Sequence, residues 1–219
     1  MQIIWKGQSC FQILINGRKN GEVRLVIDPF DEKIGLKLPK MEADILLVTH
    51  EHYDHSNIKG VPGSPFLISG PGEYEIKGVY IKGISLFHDK SEGKERGKVT
   101  AYTIEDEDGL RVCHLGDLGQ SELTDEQLDL IGDIDVLMIP VGGEYTISAQ
   151  EASKIIGQIE PKIVIPMHYA LPKLNIKLDG IEKFLRTMGI KGAEAQAKLS
   201  IKKKDLTDEE ETKVIVLES

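Results

Sequence analysis

The sequence predicts one mixed α/β domain, of the α+β kind, spanning residues 1–219. Two observations carry that expectation. Short apolar runs alternate with turn residues along most of the chain, and three stretches with helical spacing lie in its second half. No Pro- or Ser-rich linker divides the chain, and no internal repeat is visible.

The strand candidates, in order, are QIIW (2–5), CFQILI (10–15), VRLVI (23–27), DILLV (44–48), PFLI (65–68), VYIKGI (79–84), VTAYTI (99–104), LRVCHL (110–115), DVLMIPV (135–141) and KIVIPM (162–167). The first helix starts at Thr124, which forms a capping box with Gln127 ahead of Leu128 and Ile131. The second starts at Ser148, boxed with Glu151, and carries Ala152, Ile155, Ile156 and Ile159 on one face. Ile181, Phe184, Leu185 and Met188 mark the third, with Gly189 as its C-terminal stop. The tail after residue 198 reads as two further strands around an acidic turn. The polar segment DKSEGKERGK (89–98) reads as a mobile loop, and the glycine-rich GPGEYE (70–75) and PVGGEYT (140–146) as turns.

Composition narrows the function. Hydrophobic residues make up 40% and charged residues 29%, as in soluble globular proteins, and no apolar run is long enough to span a membrane. Met1 to Gln12 lacks the basic start and long apolar core of a signal peptide, so the expected location is the cytoplasm. The net charge of −9 argues against nucleic acid as a partner. The basic run Lys202 to Lys204 is followed at once by acids and reads as a solvated strand end. Cys10 and Cys113 sit in apolar stretches and read as reduced core residues.

The chemistry concentrates in THEHYDH, residues 49–55. Half of the six histidines fall between His50 and His55, directly after an apolar run. Other strand candidates also end in ionisable groups: GISLF in His88, RVCHLG in Asp117, KIVIPM in His168. An ionisable group at the end of a buried strand needs a partner. One metal centre can supply it to all of them. His50 and His52, two apart in extended chain, share a side and can reach one cation, while Asp54 and His55 reach a second. Imidazole and carboxylate donors without thiolate favour zinc, with manganese or iron as alternatives.

With IDP at 27–29, THEHYDH at 49–55, FHD at 87–89, HLGD at 114–117 and PMHY at 166–169, the chain resembles the metallo-β-lactamase superfamily. The likeness is to its small single-domain branch of Zn-dependent hydrolases, including lactonase-like members. The resemblance implies a four-layer αββα sandwich with two divalent cations at one edge. It implies His50, His52 and His88 on the first cation, Asp54, His55 and His168 on the second, and Asp117 bridging. His114 competes with His88 for the third place on the first cation. His88 is favoured because it ends an apolar strand at the expected interval; His114 is then a buried, hydrogen-bonded histidine or a support for the ligands. Asp28 would accept a hydrogen bond from a ligand imidazole, and Asp89 is a weaker candidate for the same role.

The implied reaction is hydrolysis of an ester, lactone or phosphodiester of a small molecule. Hydroxide formed from a water shared by two cations would be the nucleophile, with Asp54 orienting it and Asp117 holding the cations together. Glu144, Tyr145 and Tyr169 are candidates for substrate contact. Two other readings use the same residues: an iron-dependent oxidoreductase on the same fold, and a non-catalytic metal-binding protein.

Overall fold

A computed structural model describes residues 1–17, 21–206 and 211–219. The acidic turn expected near residues 207–210 lies outside the described residues.

The first sheet contains β1 (Gln2–Trp5), β2 (Phe11–Gly17), β3 (Gly21–Ile27), β4 (Ile45–Leu47) and β5 (Phe66–Ile68). The second contains β6 (Gly72–Ile76), β7 (Val79–Phe87), β8 (Lys98–Glu105), β9 (Arg111–His114), β10 (Val136–Pro140) and β11 (Ile163–Met167). Two short strands close the chain, β12 (Leu199–Ser200) and β13 (Lys213–Val214), and the helices are α1 (Asp125–Ile131), α2 (Ala149–Ile159) and α3 (Ile181–Thr187). The sheet orders are β12-β1-β2-β3-β4-β5 and β13-β11-β10-β9-β8-β7-β6. The two strands of the tail therefore join different sheets, β12 antiparallel to β1 and β13 parallel to β11.

Alternation explains the layers. In β3 and β4, Val23, Leu25, Ile27, Ile45 and Leu47 face the core between the sheets, whereas Val26 and Leu46 point outward. That outer face is covered by Phe30, Ile34, Met41 and Val61, carried by the chain around two short 3-10 turns, Glu32–Ile34 and Ile58–Gly60. In the second sheet β10 and β11 are buried at every residue, as parallel central strands are, with one face toward the first sheet and the other under the helices. α2 contributes Ala152, Ile155, Ile156 and Ile159, and α3 contributes Phe184, to the same core. Both predicted capping boxes form, at Thr124 with Gln127 and at Ser148 with Glu151. The result is an α/β sandwich.

Two expectations change. GPGEYE is not only a turn: Gly72 to Ile76 form the edge strand β6, joined to β7 by a tight hairpin at Lys77 and Gly78, both at positive φ. Its exposed Glu73 and Glu75 alternate with Tyr74 and Ile76, which pack on the core. The segment 89–98 is not loose chain. The Asp89 carboxylate accepts four backbone N–H groups, from Ser91 (2.8 Å), Gly93 (2.9 Å), Glu95 (3.0 Å) and Arg96 (2.7 Å). Burial pushes the Asp89 pKa up, but the N–H groups of Arg96, Ser91, Gly93 and Glu95 outweigh it and hold it down at about 2. Asp89 thus folds its own loop and has no imidazole to orient.

Cys10 and Cys113 are both buried and free, and burial pushes both thiols up, Cys113 to about 12. Neither is poised as a nucleophile.

Candidate metal centre

Strand direction brings the ionisable ends together. β3 and β4 run parallel, and β7, β9, β10 and β11 run in one direction because β8 alone reverses between β7 and β9. Asp28 follows β3, His50 follows β4, His88 follows β7, Asp117 follows β9 and His168 follows β11. All these strand ends meet at one edge of the sandwich.

Two donor clusters result. One nitrogen from each of His50, His52 and His88 lies within 4.8 Å of the others, and so does one donor from each of Asp54, His55, Asp117 and His168. His52 Nδ1 is 3.0 Å from His50 Nε2 and 3.3 Å from His88 Nε2. Asp117 stands between the clusters. Its Oδ2 lies 3.3 Å from His168 Nε2, 3.7 Å from His88 Nε2 and 4.0 Å from His50 Nε2, while Oδ1 lies 3.2 Å from His55 Nε2.

Hydrogen bonds assign the imidazole tautomers. Asp28 Oδ1 accepts the Thr49 N–H at 2.8 Å, and Oδ2 accepts the Thr49 hydroxyl at 2.7 Å and His55 Nδ1–H at 2.8 Å. Having spent its proton on Asp28, the Thr49 oxygen accepts His50 Nδ1–H at 3.0 Å. His50 Nε2 and His55 Nε2 are left as lone pairs aimed into the clusters. His55 Nε2 is buried without a hydrogen bond and faces Asp54 and Asp117. A lone pair opposite two carboxylates is repulsive unless a cation lies between them.

The titration behaviour points the same way. Burial opposes charge on His55, yet Asp117 and Asp28 outweigh it and hold the imidazole well above its usual range, so the Nε2 position draws positive charge, a proton or a metal cation in its place. Burial likewise opposes charge on Asp117, and His168 and His55 outweigh it, holding this carboxyl well below its usual range. Asp54 is held at about 2 because the hydrogen bond and charge of His55 overcome its burial. His50 goes the other way, driven to about 3 by burial and then by His55. The carboxylate-rich cluster demands positive charge, while burial keeps His50 and His88 as neutral donors. That donor set fits divalent cations in both.

His114 lies apart from both clusters. It is fully buried, accepts the Gly116 N–H on Nδ1 at 3.1 Å and donates Nε2–H to the Ser9 carbonyl at 2.9 Å. Both ring nitrogens are spent, and it is His88 that stands with His50 and His52.

Sequence reasoning missed Gln8, Ser9, Thr49 and Arg96. Gln8 Nε2 donates to Asp54 Oδ2 at 3.0 Å, and the Ser9 hydroxyl donates to Asp117 Oδ1 at 3.4 Å. The signal was a polar Gln-Ser pair between two apolar strands, but strand pattern gives no reason to place it beside residues 54 and 117. Gln8, Asp28, Glu144 and His168 all take positive φ, an unusual concentration of left-handed non-glycine backbone around one site. Gly142 packs directly on the His168 carbonyl, where a Cβ would overlap it, so the first glycine of PVGGEYT is required by close approach; the second, Gly143, sits at φ 61°.

A cavity of about 470 Å³ opens over the clusters, with Tyr53, Arg96, Tyr145, Asn175 and Lys177 in its wall. Tyr145 stands in that wall. Glu144 lines the smaller cavity beside it, about 230 Å³, and pairs with Lys177 at 3.4 Å. Tyr169 does not reach either. After the left-handed turn at His168 it packs inward on Trp5, 5.0 Å between ring centroids, and burial pushes its phenol up.

The model of a β-lactamase superfamily domain matches residues 2–168, ending on the last of the clustered histidines. The chain belongs to the metallo-β-lactamase superfamily. Within the superfamily it is 32% identical to the UPF0173 metal-dependent hydrolase of Thermoplasma volcanium, over 77% of this chain and 83% of that one. It is 34% identical to a UPF0173 protein of Pyrococcus furiosus, with the same coverage. The crystal structure of a Thermotoga maritima superfamily protein, assigned as a Zn-dependent hydrolase, superposes with a TM-score of 0.77 at 35% identity, covering 99% of both chains. Among the described residues no helix is long and apolar enough to cross a membrane.

Proposed function

We propose that this protein is a dinuclear metal-dependent hydrolase that cleaves an ester, lactone or phosphodiester of a small molecule. The observation that carries the reading is the position of Asp117, with one carboxylate oxygen toward His50, His88 and His168 and the other toward His55. His50, His52 and His88 would hold one cation, Asp54, His55 and His168 the other, and Asp117 both. Zinc suits these donors best. When bound, the cations supply Lewis acidity and lower the pKa of water.

The chain's own groups do the rest. Asp28 and Thr49 keep the Nε2 lone pairs of His50 and His55 directed inward. Gln8 holds Asp54 Oδ2, so the Asp54 carboxylate keeps one orientation from which it orients the attacking water. Tyr53 and Tyr145, each about half exposed at the cavity, offer ring faces and hydroxyls to the substrate. The relatives named metal-dependent hydrolases support the reaction class.

The test is metal analysis and turnover on one sample. Protein loaded separately with zinc, manganese and iron is expected to hold close to two equivalents and to hydrolyse a member of a panel of activated esters, lactones and bis-phosphodiesters. Full occupancy with each metal and no turnover across the panel would overturn the proposal.

A further inference from the structure

We propose that the substrate carries an oxyanion group, a carboxylate or a phosphate, away from the bond that is cut, and that Arg96 reads it. The inference rests on the hydrolytic reading for the position of the scissile bond, but the anion site stands on its own geometry.

Arg96 lies in the wall of the cavity above the metal centre. Its guanidinium carbon sits 4.8 Å over the centroid of the Tyr145 ring, a cation–π contact. That contact occupies no oxygen acceptor, and among the described residues no guanidinium N–H of Arg96 is hydrogen-bonded, which leaves the fork that matches a carboxylate or phosphate. Among the described residues no carboxylate forms an ion pair with Arg96. The acids around it are engaged elsewhere. Asp89 is taken by four N–H groups, Glu144 by Lys177, and Glu95 accepts the Ser91 hydroxyl at 2.8 Å.

The position is also pre-organised. The Arg96 N–H is bound to Asp89, next in the chain to His88, and the His88 N–H donates to the Gly97 carbonyl at 3.1 Å. The loop bearing the cation is thus tied to the backbone of a metal-facing histidine, which fixes the distance between anion site and metal centre. In a chain with 36 acidic and 27 basic residues, an uncompensated cation at the mouth of the cavity selects for negative charge. Lys177 shares the wall, but its side chain is 87% exposed and partly neutralised by Glu144. Arg96 is the residue that specifies.

The experiment compares the zinc-loaded protein with zinc-loaded Arg96→Gln, whose exposed side chain is not needed for folding; circular dichroism verifies this. The substrates are mono-para-nitrophenyl glutarate and para-nitrophenyl pentanoate, which share length, ester and leaving group and differ by one carboxylate. The kcat/KM ratio of anionic to neutral ester should fall at least about tenfold in the variant, chiefly through KM. Calorimetric titration with free glutarate and with inorganic phosphate gives a readout independent of turnover. Affinity for at least one probe should drop by roughly tenfold or more, and the probe that loses more identifies the group as carboxylate or phosphate. Unchanged affinity for both probes overturns the anion site. Cleavage of neither ester would count against the hydrolytic reading alone, because the titrations still decide the role of Arg96.

Discussion

Asp28 Oδ2 and His55 Nδ1 are 2.8 Å apart, with both side chains fully buried, and the same oxygen takes the Thr49 hydroxyl. Through Thr49 it also sets His50. One carboxylate behind the site therefore governs one imidazole in each donor cluster. Asp28 itself sits at φ 49°, which asparagine tolerates at least as well, so Asp28→Asn alters the acceptor without straining the backbone. The amide keeps one acceptor oxygen for the three donors that Asp28 serves. Metal affinity should fall by about 10–100-fold, at both clusters rather than one, as read by competition with a chelator. Wild-type affinity in this variant would rule out the shared support.

His88 and His114 should separate cleanly. His88→Ala removes a donor from the histidine cluster and should lower the metal count by one equivalent. His114→Ala should leave metal content intact. It strands the Ser9 carbonyl and the Gly116 N–H in the core, a loss of about 2–4 kcal/mol in denaturant unfolding. The opposite pattern would exchange their roles.

Asp117→Asn keeps the size of the side chain and loses its charge and one strong oxygen donor. Two cations sharing that position would repel with less offset. Metal content should drop chiefly in the Asp54, His55 and His168 cluster, and the rate should fall by about a hundredfold or more, the equivalent of roughly 3 kcal/mol. Far-ultraviolet circular dichroism should be unchanged, because β9 keeps its buried residues. A variant with both metals and full rate would exclude bridging.

The buried His114 also predicts a pH dependence. Burial, against the weaker pull of Asp28, lowers its pKa below the ordinary histidine value. The unfolded chain then binds a proton at this residue that the folded chain refuses. Its contribution to stability is complete above the unfolded pKa and is lost as pH falls below it, by up to about 1.4 kcal/mol per pH unit until the folded group titrates. His114→Gln can supply the same acceptor and donor without titrating. The stability gap between the two proteins should shift in favour of the variant between pH 7 and pH 5. A gap that is constant with pH would refute the assignment.

The site was legible in the chain wherever strand ends carried it. A buried strand must follow the period of its sheet, so an ionisable residue just past its last apolar position is conspicuous, and His50, His88, Asp117 and His168 stood out for that reason. Spacing within THEHYDH supplied His52, Asp54 and His55. The same local logic gave ten of the strands and both capping boxes, because alternation and capping act over a few residues. It failed at β6, whose exposed glutamates are tolerated on an edge strand open to water. Local pattern therefore carried the candidate donors, with His88 and His114 still competing for one place, together with the kind of fold and the class of chemistry. Packing settled what surrounds the donors: that His88 and not His114 stands with His50 and His52, that Gln8 and Ser9 hold the carboxylates, that Tyr169 turns inward onto Trp5 while Tyr145 faces the cavity, and that Asp89 folds the loop which sets Arg96 at its mouth. The Asp89–Arg96 contact spans seven residues, but the others join residues 36 or more positions apart, through loops whose path depends on where two sheets close, and no local periodicity encodes that distance.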